Sequence, residues 1–347
     1  MSPSRPERVQ LSRTGGCLLL LLVNLIIFIM LLYGLEFYLG LTAPELPPAP
    51  SEVTNRFRFR EREFAVPKPS GVCRIMVLGD SFTWGKGVPV EARYTTRLEA
   101  LLNGVYPDKN FEVLNFGFPG APTTRERDSL RDYKDRVEPD LIIVGFVLND
   151  PQPKSQNYSP ERERFEEAIN RPLDGWLEEV EEWRLERTAD LVRSGLDSFA
   201  VNAGLVPPWQ EALQRVYETD STEWVQFEQA LRDIKTMSDE LDLPQPIFAI
   251  LNQGTYTDRP TDYNQPDEEL QRYLGWYRQT EETAAPLGFY PINFERELAA
   301  QMTGEPMAVN VLDGHPSARV HSIYAQKLFD EIGEVYVEAG KLCDDGG

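Results

Sequence analysis

Residues 74–85 read RIMVLGDSFTWG. Ile75, Met76, Val77 and Leu78 make an apolar run of strand length without a polar break, the pattern of a strand buried on both faces. Gly79, Asp80 and Ser81 then end the run in turn chemistry, and a helix-compatible stretch follows. A buried strand that passes through a tight turn into a helix opens a β-α-β unit. The chain is therefore expected to carry a parallel sheet covered by helices.

Four further runs of the same kind lie downstream: FEVLNFG (111–117), DLIIVGFVL (140–148), PIFAILNQG (246–254) and GFYPINF (288–294). Helical spacing separates them. EARYTTRLEALLNG (91–104) carries Leu98, Leu101 and Leu102. WVQFEQALRDIKTMSDEL (224–241) sets Trp224, Phe227, Leu231, Ile234 and Leu241 on one side, and ARVHSIYAQKLFDEIGEVYVEAG (318–340) reads as a closing helix. Residues 151–222 break this rhythm. They are too long for an ordinary connection and hold Trp176, Trp183 and Trp209, so they are expected to be a helical insertion beside the strand ends. A lid, an acceptor site and mere packing all remain open for it.

Upstream, Cys17 to Leu35 read CLLLLLVNLIIFIMLLYGL, with Asn24 as the strongly polar exception. At about 1.5 Å per residue these residues span roughly 28 Å, close to the hydrocarbon thickness of a bilayer. Arg5, Arg8 and Arg13 precede the run, whereas Glu36 and Glu45 follow it. The charge bias predicts a single-pass protein with a cytoplasmic tail (1–16), a transmembrane helix (17–40) contacting the lipid bilayer, and the remainder in the periplasm or cell exterior. Tyr33, Phe37 and Tyr38 suit the outer interface. Residues 41–70 are expected to be linker and edge segment. TAPELPPAPSEV (42–53) is an extended spacer, and NRFRFREREF (55–64), with alternating Arg and Phe, reads as an edge strand rather than a surface for anionic groups.

The composition narrows the chemistry. The 347 residues carry 56 acidic and 35 basic side chains, a net charge of −21, which disfavours nucleic acid as a partner. Three cysteines exclude a disulfide scaffold, and no ligand spacing suggests a metal. By the topology above, Cys73 and Cys343 both lie outside the cytoplasm. Two free thiols are expected there, with a disulfide as the alternative. Only His315 and His321 are available for histidine chemistry. His315 follows Asp313 in a loop, so a carboxylate stands near a candidate base; His321 falls within the closing helix and is read as structural. Ser81 ends the first strand, where a nucleophile would meet backbone N–H groups. Asn149 ends the third strand and offers an amide donor. A glycine after the second strand, Gly117 or Gly120, allows close backbone approach.

These blocks, GDS at 79–81, the glycine at 117 or 120, Asn149 and Asp313-Gly314-His315, resemble in residue type and order the SGNH/GDSL hydrolase family over most of residues 71–340. The resemblance implies a flavodoxin-like three-layer α/β/α fold with a five-stranded parallel sheet in the order 2-1-3-4-5. It also implies Ser81 as nucleophile, Asp313 and His315 as acid and base, and Ser81, Gly120 and Asn149 as oxyanion donors. The third block departs from the family's compact Gly-x-Asn-Asp, since three residues separate Gly145 from Asn149. The Asp-x-His spacing is also shorter than in many relatives.

The activity expected is that of a membrane-anchored extracytoplasmic serine ester hydrolase, working through an acyl-enzyme without a cofactor. Its expected substrate is an O-acylated, especially acetylated, envelope or secreted polysaccharide. An O-acyltransferase with a glycan hydroxyl as acceptor is one alternative, and a non-catalytic anchored glycan-binding protein is another. A nucleotide- or flavin-binding domain fits less well, because GDSFTWGKG matches neither phosphate-binding glycine pattern. The 341–347 stretch is read as a C-terminal tail.

Overall fold

The computed structural model describes residues 13–42, 54–152, 159–311 and 313–343. The expected spacer from residue 43 to 53, the tail up to residue 12 and the end beyond residue 343 lie outside the described residues. After an apolar helix α1 (Arg13–Thr42), strand β1 (Cys73–Gly79) leads into the short helix α2 (Ser81–Trp84), then α3 (Tyr94–Val105). Strand β2 (Phe111–Gly117), α4 (Thr123–Val137) and β3 (Leu141–Phe146) follow. Next come α5 (Pro160–Phe165), which runs through a π turn into α6 (Arg171–Glu182), then α7 (Glu186–Asn202), α8 (Trp209–Val216) and α9 (Thr222–Glu240). The chain ends with β4 (Ile247–Ile250), α10 (Glu268–Ala284), β5 (Tyr290–Asn293), α11 (Glu295–Gln301), a hairpin of β6 (Ala308–Asn310) and β7 (Asp313–Pro316), and α12 (Ala318–Ile332).

Strands β1 to β5 form one parallel sheet in the order β2-β1-β3-β4-β5, as the resemblance implied. Helices α3 and α12 pack together on one face, and α4 and α9 on the other. With both faces covered, Ile75 to Leu78 and Ile142 to Val144 are fully buried, which explains their continuous apolarity. Residues 151–222 are largely helical where described, with turns between the helices, and lie between β3 and the crossover helix α9.

The register aligns Gly79 with Gly117 on one side and Gly145 on the other. This row of glycines makes the seat of α2. A Cβ on Gly79 or Gly145 would fall 2.0 or 2.5 Å from Thr83 Oγ1, and one on Gly117 would fall 2.4 Å from the Trp84 nitrogen. Without side chains there, α2 settles directly on the carboxyl end of the sheet.

Two expectations are corrected. Residues 55–64 are not an edge strand: Asn55 Oδ1 accepts from the N–H groups of Phe57 and Phe59 at 3.0 and 3.2 Å and closes a turn. The β2 edge is ended by carboxylates instead, because Glu61 accepts from Asn115 N at 3.1 Å and Glu99 from Val113 N at 2.7 Å. Arg60 is buried; it stacks over Trp84 and donates to the Gly85 and Val88 carbonyls, locking the chain beyond α2. Cys73 and Cys343 are not free thiols either. They form a disulfide with 5.7 Å between Cα atoms, which ties the amino end of β1 to the C-terminal segment.

Candidate active site

Asp80 caps α2 by accepting from Phe82 N at 2.8 Å, and this turn presents Ser81 at the carboxyl end of β1. From the other side, the β6–β7 hairpin delivers Asp313 and His315. Where the sequence predicts a loop, the structure has a hairpin, with Asp313 and His315 both on β7. Ser81 Oγ lies 2.9 Å from His315 Nε2, and His315 Nδ1 lies 2.5 Å from Asp313 Oδ1. The His315 backbone N–H donates to the same Asp313 oxygen at 3.0 Å. An Nδ1–H directed at Asp313 leaves the Nε2 lone pair for the serine hydroxyl. Burial alone would raise the Asp313 carboxyl, but hydrogen bonds from His315 and the charge of Lys86 outweigh it. They hold Asp313 below the usual carboxylate range.

Asn149, 8% exposed, follows β3 and lines the same cleft. Its Nδ2 donates to Asp80 Oδ2 at 3.3 Å, and that oxygen lies 3.1 Å from Ser81 Oγ, where it competes with His315 Nε2 for the single hydroxyl hydrogen. One buried carboxylate therefore touches two of the expected site residues. Gly120 sits in the β2–α4 turn at φ +66°, a left-handed conformation suited to glycine, and its N–H has no partner among the described residues. It does not line the cleft. Gly117 donates its N–H to Asn115 Oδ1 at 2.9 Å and packs against α2, so its donor is already committed.

His321 lies apart from this group. It is fully buried on α12, stacks on Tyr94 and accepts from Tyr94 N at 3.3 Å. Burial, aided by nearby arginine charge, pushes it down to about 3.

The residues that sequence reasoning missed are carboxylates and the cleft wall. Asp80 was in plain view inside GDS, but nothing local signalled its bonds to Ser81 and Asn149. Glu126 and Asp150 lie buried close to it. Burial, then the charge of Asp80, pushes Glu126 up; burial, then the charge of Glu126, does the same for Asp150. Both carboxyls are thereby biased toward the neutral form. The cleft has a volume of about 530 Å³. Its floor holds Asn149, His315 and Asp313, and its wall comes from the insertion through Arg162, Asp190, Arg193, Asp197 and Trp209. Arg162 pairs with Asp197, and Arg193 with Asp174, Glu181 and Asp190. Among the described residues, the grouping of Cys73, Asp140 and Cys343 offers no thiolate for a metal, because the two sulfurs are bonded to each other.

A doubly covered parallel sheet with a serine, an imidazole and a carboxylate in hydrogen-bonded series at its carboxyl end defines an α/β hydrolase-type site. Residues 77–323 match the model of the GDSL-like lipase/acylhydrolase family, and the chain belongs to that family of carboxylic ester hydrolases. Among solved structures, it is similar to the α/β hydrolase LAE5 from the metagenome of Lake Arreo, Spain. That match has 13% identity and a TM-score of 0.43, covering 79% of this chain and 98% of that one. It is also similar to Axe2, an acetylxylan esterase from Geobacillus stearothermophilus, at 17% identity and a TM-score of 0.42, covering 75% and 94%. A search of curated protein sequences finds no match.

Proposed function

We propose that the protein is a membrane-anchored, extracytoplasmic serine esterase that removes acyl groups from O-acetylated glycans, with residues 71–340 as its catalytic domain. The observation that carries the mechanism is the series Ser81 Oγ, His315 Nε2, His315 Nδ1 and Asp313 Oδ1, spaced at 2.9 and 2.5 Å. Ser81 Oγ attacks the ester carbonyl carbon while its proton passes to His315 Nε2. Asp313 holds the ring and stabilises the imidazolium. Negative charge gathers on the carbonyl oxygen, and the Ser81 and Gly120 N–H groups with the Asn149 amide are its proposed donors. The alcohol leaves with the proton from His315, giving an acyl-Ser81 ester. Water then attacks, again losing its proton to His315, and the acid departs as Ser81 regains its hydrogen.

The cleft supports a glycan over a long acyl chain. Its wall consists mostly of charged and amide side chains, whose burial against hydrocarbon would leave polar groups without partners. Hydroxyl groups satisfy such a wall, and Trp209 adds an aromatic face. The location is supported by Leu20–Leu41, which has a mean hydropathy of 2.4 and the length to cross a membrane. The Cys73–Cys343 disulfide adds to this, because such bonds persist in oxidising compartments.

The test is hydrolysis of p-nitrophenyl acetate and of acetylated oligosaccharides by the full chain in nanodiscs. Ser81→Ala and His315→Ala are each expected to lower kcat by roughly 10⁴-fold or more, and Ser81→Ala to abolish fluorophosphonate labelling. Unchanged rates in both variants would refute the mechanism. Acetyl transfer to an added glycan, in preference to water, would assign the same site to an acyltransferase.

A further inference from the structure

The first N–H groups of a helix have no partners within it, and α7 lacks a side-chain cap from its own preceding residue, Leu185. The cap comes from α1. Glu36, 8% exposed on the mostly apolar α1, accepts from Arg187 N at 3.2 Å, Thr188 N at 2.8 Å and Thr188 Oγ1 at 2.9 Å. The Arg187 guanidinium lies 3.4 Å from the same carboxylate. One turn earlier on α1, Tyr33 donates its hydroxyl hydrogen to the Trp183 carbonyl at 3.1 Å. The apolar helix is thereby joined to the insertion by a specific polar contact, and the joint lies where α6 turns into α7.

We propose that this α6–α7 corner is a foot resting in the interfacial zone of the bilayer, with the Trp183 ring as its lipid contact. The proposal rests on reading α1 as a membrane span. Continuity with that span identifies the occupant. Tyr33 stands near the outer end of the Cys17–Leu35 apolar run, and its bond to the Trp183 carbonyl sets the backbone of that residue at the same depth, with the indole within side-chain reach of it. Trp183 is 64% exposed, and interfacial tryptophan is the usual anchor at that depth. Charge does not supply the attraction, since Glu178, Glu179, Glu181 and Glu182 precede the ring and outnumber the exposed Arg184 that follows it, leaving the corner net negative. The contact is aromatic and works on a zwitterionic surface.

This arrangement places the substrate. Asp190, a cleft-wall residue, lies two positions beyond Thr188, so the wall begins within about one helical turn, roughly 5 Å, of the joint. The cleft is held at the membrane surface, and its substrate is an acylated glycan presented there rather than one diffusing far from the bilayer.

The experiment uses the full chain in nanodiscs of phosphatidylcholine brominated near the carbonyl end of its acyl chains. Bromine quenches nearby indoles. Wild type is expected to lose more emission than Trp183→Phe, by up to about one-sixth of the total for one of six tryptophans. Glu36→Ala, with its far-UV circular dichroism unchanged, is expected to fall to the level of Trp183→Phe because the corner detaches. Trp209→Phe, altered in the cleft, is expected to keep the wild-type quenching difference. Equal quenching of wild type and Trp183→Phe, with the chain still resistant to alkaline carbonate extraction, would overturn the foot and leave the membrane span standing. Quenching retained in Glu36→Ala would overturn the joint as its support. Release of the wild-type chain by carbonate would overturn the span itself.

Discussion

The floor of the cleft is made by the turn after β3 and by the β6–β7 hairpin, next to the turn that carries Ser81, and its wall by helices inserted between β3 and α9. The floor side chains are nearly closed off. Ser81, Asn149 and His315 are 2%, 8% and 8% exposed, and each is held by at least one side-chain hydrogen bond. The wall is more open and rests on ion pairs among Arg193, Asp174 and Asp190, whose side chains are between about a third and a half exposed. Exposed pairs of this kind contribute little to stability. The difference teaches how the proposed roles divide: groups proposed to move protons need the fixed geometry of the floor, whereas groups proposed to receive a glycan tolerate the movement of the wall.

That contrast can be broken at the floor first. Asp80→Asn keeps an oxygen for Phe82 N but replaces the acceptor shared by Ser81 and Asn149. It is expected to lower kcat for p-nitrophenyl acetate by about 10²-fold, the scale of a lost oxyanion donor, with KM little changed. A wild-type rate in steady-state assays would mean that Asp80 is packing only. A wall substitution should behave in the opposite way. Trp209→Ala is expected to raise KM for acetylated oligosaccharides about fivefold, in line with the loss of an aromatic contact. Its rate on p-nitrophenyl acetate should stay the same, and equal losses on both substrates would erase the division between wall and floor.

The smallest effect concerns the histidine outside the cleft. His321 is depressed from 6.5 to about 3 in the fold, so between those values the unfolded chain binds a proton that the folded chain refuses. Stability from this group is fully present above pH 6.5 and is lost as pH falls toward 3. His321→Phe keeps a ring against Tyr94 and is expected to flatten the fall in Tm across that window without altering kcat. An identical pH dependence of Tm in the two proteins would refute the assignment.

Much of the floor was legible because each part is local. An apolar run bounded by turn residues reports a buried strand, and GDS or Asp-x-His keeps its members within a few residues. The wall was legible only as an irregular insertion, since nothing in its charge pattern tells which acids will meet Arg193. The 55–64 segment misled for a related reason. Its alternation of Phe and Arg fits a strand, but the edge of β2 is satisfied by Glu61 and Glu99, and no strand partner remains to be filled.

By itself the sequence determined the order of strands along the chain, the strand-to-helix turn at Gly79-Asp80-Ser81, the rarity that singled out His315, and an apolar run long enough to cross a bilayer. These follow from properties of neighbouring residues, which local sterics and hydrophobicity govern. Tertiary structure alone decided that Cys73 meets Cys343, that Asp80 meets Asn149, and that Glu36 caps a helix 150 residues away. Each of these depends on two distant segments reaching the same few ångströms, and only the packed sheet and helices bring them there.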